Sequence, residues 1–301
     1  MDLVLKAATL VAIIALGYLV KRLGWLQGAD FRVLSTIALR ITLPCALIVG
    51  FDKFEIQPSL LWLSLFAFVT VVAGQVISWV VERRWGLRAQ AFGVLNVSSF
   101  NIGLFVIPYL GAFLGPEAIV IASMFDVGNA LSAAGVGYAW GLGLAAGRKP
   151  SILKFLNTLL HSPVFMTYLV LLLLGLFRIH LPGPVLGFAA TVGAANTFIA
   201  MFMIGIGLEI VLDRRSYVVA ARYLATRYAV VALAAIALWV LVPFSHMEKV
   251  VLTAVLVAPM AAMSSGFTAE ADLDVSVSTF MTTFTVLVAI VAMPALLLAL
   301  G

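Results

Sequence analysis

The chain is predicted to be an all-α polytopic membrane protein. Ten transmembrane helices form two inverted five-helix repeats, with helices four and nine broken. Three observations point there: the composition, a self-similarity between the two halves, and two prolines at matching places. Of 301 residues, 64% are apolar and 10% charged, and the mean hydropathy is +1.17. Soluble domains are about 45–50% apolar and about 25% charged. A soluble domain and a disordered chain are both excluded. A spanning helix takes about 20 apolar residues, so ten use roughly 200 positions and leave about ten per connection. The apolar runs are continuous rather than alternating, which excludes a transmembrane barrel.

The first repeat, 1–150, holds spans at 3–20, 33–51, 59–81, 90–114 and 117–146. Span one is followed, not preceded, by the basic pair Lys21 and Arg22, unlike a cleaved signal. Span two carries Cys45, the single cysteine, so no internal disulfide can form. The second repeat, 151–301, holds spans at 155–177, 183–210, 218–243, 249–268 and 275–300. Spans five and seven exceed the bilayer thickness and are expected to tilt or lie partly at the interface.

Lysines and arginines set the orientation. Twelve fall in loops on one side (Lys21, Arg22, Arg32, Arg83, Arg84, Arg88, Arg148, Lys149, Lys154, Arg214, Arg215 and Arg222). Four fall on the other: Lys6, Lys53, Arg178 and Lys249. The positive-inside rule puts the twelve in the cytoplasm and both termini on the non-cytoplasmic side of the cell (inner) membrane. The net charge of +5 is read as this excess and not as a nucleic-acid footprint.

The self-similarity has an offset of about 150–160 residues, the separation expected of a duplicated five-helix unit. LGYLVKRLGWLQGADFRVLSTIALRITLPCALIVGFD and LLGLFRIHLPGPVLGFAATVGAANTFIAMFMIGIGLE share one order of features. Each runs apolar helix, Gly- or Pro-containing turn, then a helix ending in Gly before an acid. Five is odd, so the second unit enters the membrane from the opposite side. Inverted repeats let two states of similar energy alternate around one midplane site, as in secondary transporters.

Pro108 in span four and Pro259 in span nine are 151 residues apart. A proline removes a backbone donor and clashes with the preceding turn, so a break is expected at each. Asn101 lies seven residues ahead of Pro108, with Gly103 between them, and Ser264 and Ser265 follow Pro259. Freed backbone groups at membrane depth belong in protein or beside a watery cavity. Half-helix N-termini carry partial positive charge and unpaired N–H groups, which suits a carboxylate. Asn101 either binds substrate or glues two helices by a hydrogen bond.

Asp126 and Asn129 share a face of span five, and Asn129 joins Asn101, Gly103, Pro108, Pro259, Ser264 and Ser265 as a candidate for binding substrate. An acid inside the membrane is a functional candidate by default. Asp126 either couples transport to protons or pairs with Arg227 of span eight or Arg40 of span two. Those arginines either contact the anion, snorkel to an interface, or pair with Asp126. Thr279, Thr282, Thr283 and Thr285 line a polar path or bond back along their own helix. Glu209 and Asp213 read as an interfacial cluster with Arg214 and Arg215, and Glu270, Asp272 and Asp274 as a solvated acidic loop. No metal or cofactor is expected: His161, His180 and His246 are scattered. No phosphate-cradling loop, nucleophile elbow or HExxH occurs, so neither an ATP-driven pump nor a hydrolase is expected.

Four motifs occur in order: TLPCALI around Pro44, Asn101-x-Gly103-x-x-x-x-Pro108, AMFMIGIGLEI with Gly205 and Leu208, and APMAA around Pro259. They resemble the auxin efflux carrier family, the PIN-like branch of the bile acid/auxin/arsenite transporter superfamily, and the resemblance covers nearly the whole chain. It implies that broken helices four and nine cross at the binding site. It also implies a scaffold of helices 1, 2, 6 and 7, a transport domain of helices 3–5 and 8–10, elevator motion and a homodimer through the scaffold. Substrates would be small organic anions such as malonate, malate or auxin-like acids. Ser264 and Ser265 stand where some such carriers place a second Asn. The connection at about 147–151 is short, like that of compact prokaryotic members. Two other readings stay open: a sodium-coupled symporter of the bile acid type, and a sensor or channel with the same fold.

Overall fold

A computed structural model describes residues 2–51, 60–147, 156–157, 160–208 and 214–300. Among them all regular structure is helical. The expected cluster at Glu209 and Asp213, and most of the connection at 147–151, lie outside the described residues.

The chain opens with α1 (Asp2–Arg22), followed by α2 (Phe31–Ile37) and α3 (Leu43–Phe51). Next come α4 (Leu61–Glu82), α5 (Leu87–Asn96), α6 (Ile107–Leu114), α7 (Pro116–Asn129) and α8 (Tyr138–Ala146). The second half holds α9 (Pro163–Leu176), α10 (Gly183–Ala194), α11 (Asn196–Gly207), α12 (Arg214–Val240), α13 (His246–Leu256), α14 (Met263–Glu270) and α15 (Val275–Leu300). Among the described residues, six stretches are long and apolar enough to cross a membrane: Gly28–Phe51, Leu61–Trp85, Pro116–Ala146, Gly183–Gly207, Ser216–Val240 and Val275–Leu300. Large apolar side chains such as Trp62, Phe188, Leu241 and Val291 face outward. That is the surface of a multi-pass membrane protein, whose solvent at this depth is lipid.

The prolines act differently from one another. Pro259 sits inside a non-helical segment, 257–262, between α13 and α14, as expected. Pro108 does not break its helix. The interruption in span four lies earlier, at 97–101, and Pro108 sits in the first turn of α6. A π turn, Ile102–Val106, precedes it. Span two repeats the arrangement, with the π turn Ala38–Thr42 ahead of Pro44. A proline cannot donate to the carbonyl four residues back and its ring presses on that carbonyl. The wider π turn moves the carbonyl away, so the helix continues. The upstream break falls instead among Ser98, Ser99 and Asn101, side chains that compete with helical hydrogen bonds.

Small residues bring helices into backbone contact. A Cβ on Gly17 would stand 2.1 Å from the Phe202 carbonyl oxygen, and one on Gly205 would stand 2.0 Å from that of Ile14. These two glycines let α1 and α11 pack at a separation closed to any other residue. Lys21 at the end of α1 donates to the Leu208 carbonyl at 2.9 Å, satisfying an orphan group past the end of α11. Thr42 donates to the Asn196 side chain at 2.9 Å, tying the second span to the seventh.

Candidate functional site

The two non-helical segments meet. The Asn101 N–H donates to the Pro259 carbonyl at 2.8 Å. The Ser99 and Ser264 hydroxyls lie 2.9 Å apart, and the Ala261 N–H donates to Ser99 Oγ at 3.4 Å. The Met260 N–H donates to Thr285 Oγ1 at 3.0 Å. Backbone groups left without helical partners are thus satisfied by the other break or by α15, as a low-dielectric setting demands.

Two buried side chains hold the first break from behind. Asn129 Nδ2 donates to the Phe100 carbonyl at 3.0 Å, and the Phe100 N–H donates to Asn129 Oδ1 at 3.3 Å. The same Nδ2 donates to Asp126 Oδ1 at 2.9 Å. The Tyr168 hydroxyl of α9 donates to Asp126 Oδ2 at 2.9 Å. Asp126 therefore pairs with neither Arg227 nor Arg40. Its two oxygens are taken by an amide and a phenol. Arg227, 1% exposed, sends Nη1 to the carbonyls of Val97 (2.8 Å) and Ser99 (2.9 Å) and Nη2 to that of Ala258 (2.8 Å). Its guanidinium lies 5.0 Å from the Phe100 ring centre. Arg40 is exposed within the π turn of span two.

In front of the breaks lies a cavity of about 260 Å³. One wall is Gly28, Phe31, the end of α11 at Met203, Ile204, Ile206 and Gly207, and Leu208 just past it. The other is Asn101, Ala262, Ser265 and the α15 threonines Thr279, Thr282 and Thr283. Asn101 caps the half-helix that runs from Ile102 through Leu114, and Ala262 caps α14. Both caps open on this cavity. The Asn101 amide makes no cap hydrogen bond, so it is available to an occupant.

Of the residues singled out in the sequence, Asn101 and Ser265 line the cavity, while Ser264 is buried one layer behind against Ser99. Asn129 and Asp126 support Phe100 from the far side. Gly103 allows close passage, since a Cβ there would meet Leu43 Cδ2 at 2.8 Å. Pro259 contributes its carbonyl, and Pro108 is not among the lining residues. Asn129 and Arg227 are thus positioning groups in this arrangement and not wall residues. The threonines divide between the two roles considered for them: Thr279, Thr282 and Thr283 line the cavity, whereas Thr285 donates back to the Thr282 carbonyl at 2.9 Å and does not line it. Thr282 donates to the Ser278 carbonyl at 3.0 Å and also faces the cavity. Tyr168 and Phe31 were not foreseen, because an isolated aromatic in an apolar run carries no spacing signal.

Residues 3–140 match a family described as "Membrane transport protein". The chain is also similar to an "Uncharacterized transporter" of Methanothermobacter thermautotrophicus (strain Delta H), 22% identical over 292 residues, which covers 95% of this chain and 94% of that protein.

Proposed function

We propose that this chain, whose residues 3–140 match the membrane transport protein family, is a secondary carrier of small organic anions. Family and relative make it a membrane transporter and not an enzyme. The observation that carries the substrate class is the cavity where both half-helix caps, Asn101 and Ala262, meet a row of hydroxyls. Helix N-termini offer unpaired N–H groups and about half a positive charge each, and among the described lining residues none is acidic. A carboxylate fits that chemistry. The volume exceeds the roughly 150 Å³ that admits a benzene-sized molecule, so a small dicarboxylate or aromatic acid has room.

The mechanism we infer is an elevator. Spans 1, 2, 6 and 7 form the scaffold, and spans 3–5 and 8–10 carry the site. The ten spans form two inverted repeats, 1–150 and 151–301, and the broken helices four and nine cross at the site. Supporting this, the breaks begin at 97 and 257, 160 residues apart, and they contact each other directly. The cavity also lies at the seam, with Phe31 and 203–208 on the scaffold side and Asn101, Ser265 and Thr279 on the moving side. Asp126 crosses the same seam to Tyr168 and is the proposed proton-coupling group. The chain sits in the cell membrane with both termini outside, as a homodimer through the scaffold.

Counterflow in proteoliposomes tests the reading, with labelled malonate, malate and indole-3-acetate against the same unlabelled acids. Saturable exchange of one of them is expected. Non-saturating flux would identify a channel, and no flux through folded protein would refute the carboxylate assignment.

A further inference from the structure

Helix breaks at membrane depth expose carbonyl oxygens, and such oxygens are what an ion-coupled carrier uses to hold its cation. Here three of them, from both breaks, converge on one point: Val97 and Ser99 from the first break and Ala258 from the second. The point is occupied by a side chain. All three distances to the Arg227 guanidinium are 2.8–2.9 Å. The group is 1% exposed, and the Phe100 ring covers it. Among the described residues no carboxylate lies within ion-pair distance of it. A guanidinium does not deprotonate in proteins, and its rigid fork can meet several acceptors at once. A buried positive charge satisfied by carbonyls alone replicates the electrostatics of a bound metal cation, with the difference that it cannot leave.

We propose that Arg227 is a tethered cation, filling at the meeting of the breaks the position in which an ion-coupled carrier would hold its ion, so that transport proceeds without sodium or another metal cation. The proposal rests on the carrier reading above and deepens it. In that reading Arg227, Val97, Ser99 and Ala258 all belong to the moving body. The clip therefore travels intact, whereas an exchangeable ion would bind on one side of the membrane and leave on the other. Arg227 is a positioning residue: it touches the segments that present Asn101 and Ala262 to the cavity, not the cavity itself.

The test uses the full chain, with thermal melting in detergent and malonate counterflow in liposomes, each in sodium, potassium or choline chloride. Wild-type melting and exchange are expected to be the same in all three salts. Arg227→Ala is expected to melt earlier and to lose about tenfold or more in exchange, the factor carried by one lost charged hydrogen bond. Millimolar guanidinium, but not methylammonium, should restore both. A wild-type protein stabilised or accelerated by sodium would overturn the proposal while leaving the carrier intact. So would an Arg227→Ala protein indifferent to guanidinium. Should Arg227→Ala not fold, Arg227→Lys takes its place. Its ammonium keeps a charge at the carbonyls, so it should remain indifferent to sodium, and sodium stimulation would refute the idea. No wild-type exchange of malonate, malate or indole-3-acetate in any salt would tell against the carrier reading, and the melting comparison would still decide Arg227.

Discussion

Replacing Asn101 by alanine removes one carboxamide from the cavity wall. Loss of an N-cap side chain ordinarily costs about 1 kcal/mol, the worth of its bond to the first turn. Here that bond is absent. The contact that joins the breaks comes from the Asn101 backbone N–H to Pro259, and alanine keeps it. The backbone angles, φ −86° and ψ 75°, have negative φ and are open to alanine. The stability change should therefore stay within about 0.5 kcal/mol, which moves a melting midpoint by no more than about 2 °C. The cost to an anion is larger. A hydrogen bond to a charged group is worth about 1.5–3 kcal/mol, or roughly tenfold to a hundredfold in affinity. Counterflow measured across substrate concentration should show half-saturation raised by that factor, and at low substrate, exchange below detection. Melting should be nearly unchanged. Unaltered exchange would refute contact between Asn101 and the substrate. A midpoint lowered by many degrees would show that the amide is structural, and the separation of roles argued here would fail.

Asn129→Ala should behave oppositely. It strands the buried N–H and carbonyl of Phe100 and takes a donor from Asp126, at about 1–3 kcal/mol per group, so the melting midpoint should fall by several degrees, and an unchanged midpoint would show that the clamp bears no weight. Asp126→Asn keeps shape and volume, and the Tyr168 phenol can accept where it now donates; the fold should survive while any pH dependence of exchange disappears, and a wild-type pH profile would remove Asp126 from proton coupling. Gly205→Val forces side-chain atoms to about the position of the Ile14 carbonyl, and overpacking of this kind costs about 1–3 kcal/mol or more, read as a reduced folded fraction in size-exclusion chromatography of the purified variant; wild-type yield and melting would show that α1 and α11 are not held at contact.

Hydropathy made the helical, membrane-embedded character legible, because length and apolar content are what a bilayer selects. The break at Pro259 was legible for the same kind of reason, since a missing donor is written in the residue itself. The break in span four was misplaced. Proline carries the stronger breaking signal than the run Ser98, Ser99 and Asn101, and the π turn that lets Pro108 stay helical has no signature in residue type. Asn101 could be picked out because an amide at membrane depth near a break is costly unless used. The partners of Asp126 could not. Tyr168 lies 42 positions away, in an apolar stretch where one tyrosine looks like any other packed ring. Arg227 was visible as a buried charge. That it would find carbonyls and not a carboxylate depended on where two unwound segments came to rest, and spacing does not report that.

The π turn ahead of Pro44 also bears on how this chain is to be compared with others. A π turn is an α-helix carrying one extra residue, and each residue of an α-helix rotates the axis by about 100°. In span two, where the π turn lies between α2 and α3, the upstream and downstream faces are therefore out of phase by that angle with what a continuous helical wheel assigns. A relative without the first turn should align to this chain with a single-residue gap inside 38–42, in the middle of a helix where gaps are usually penalised. Placing that gap in a neighbouring loop would rotate every position between it and the turn off its true face in the resulting homology, and a substitution scan designed from it would sample the wrong surface.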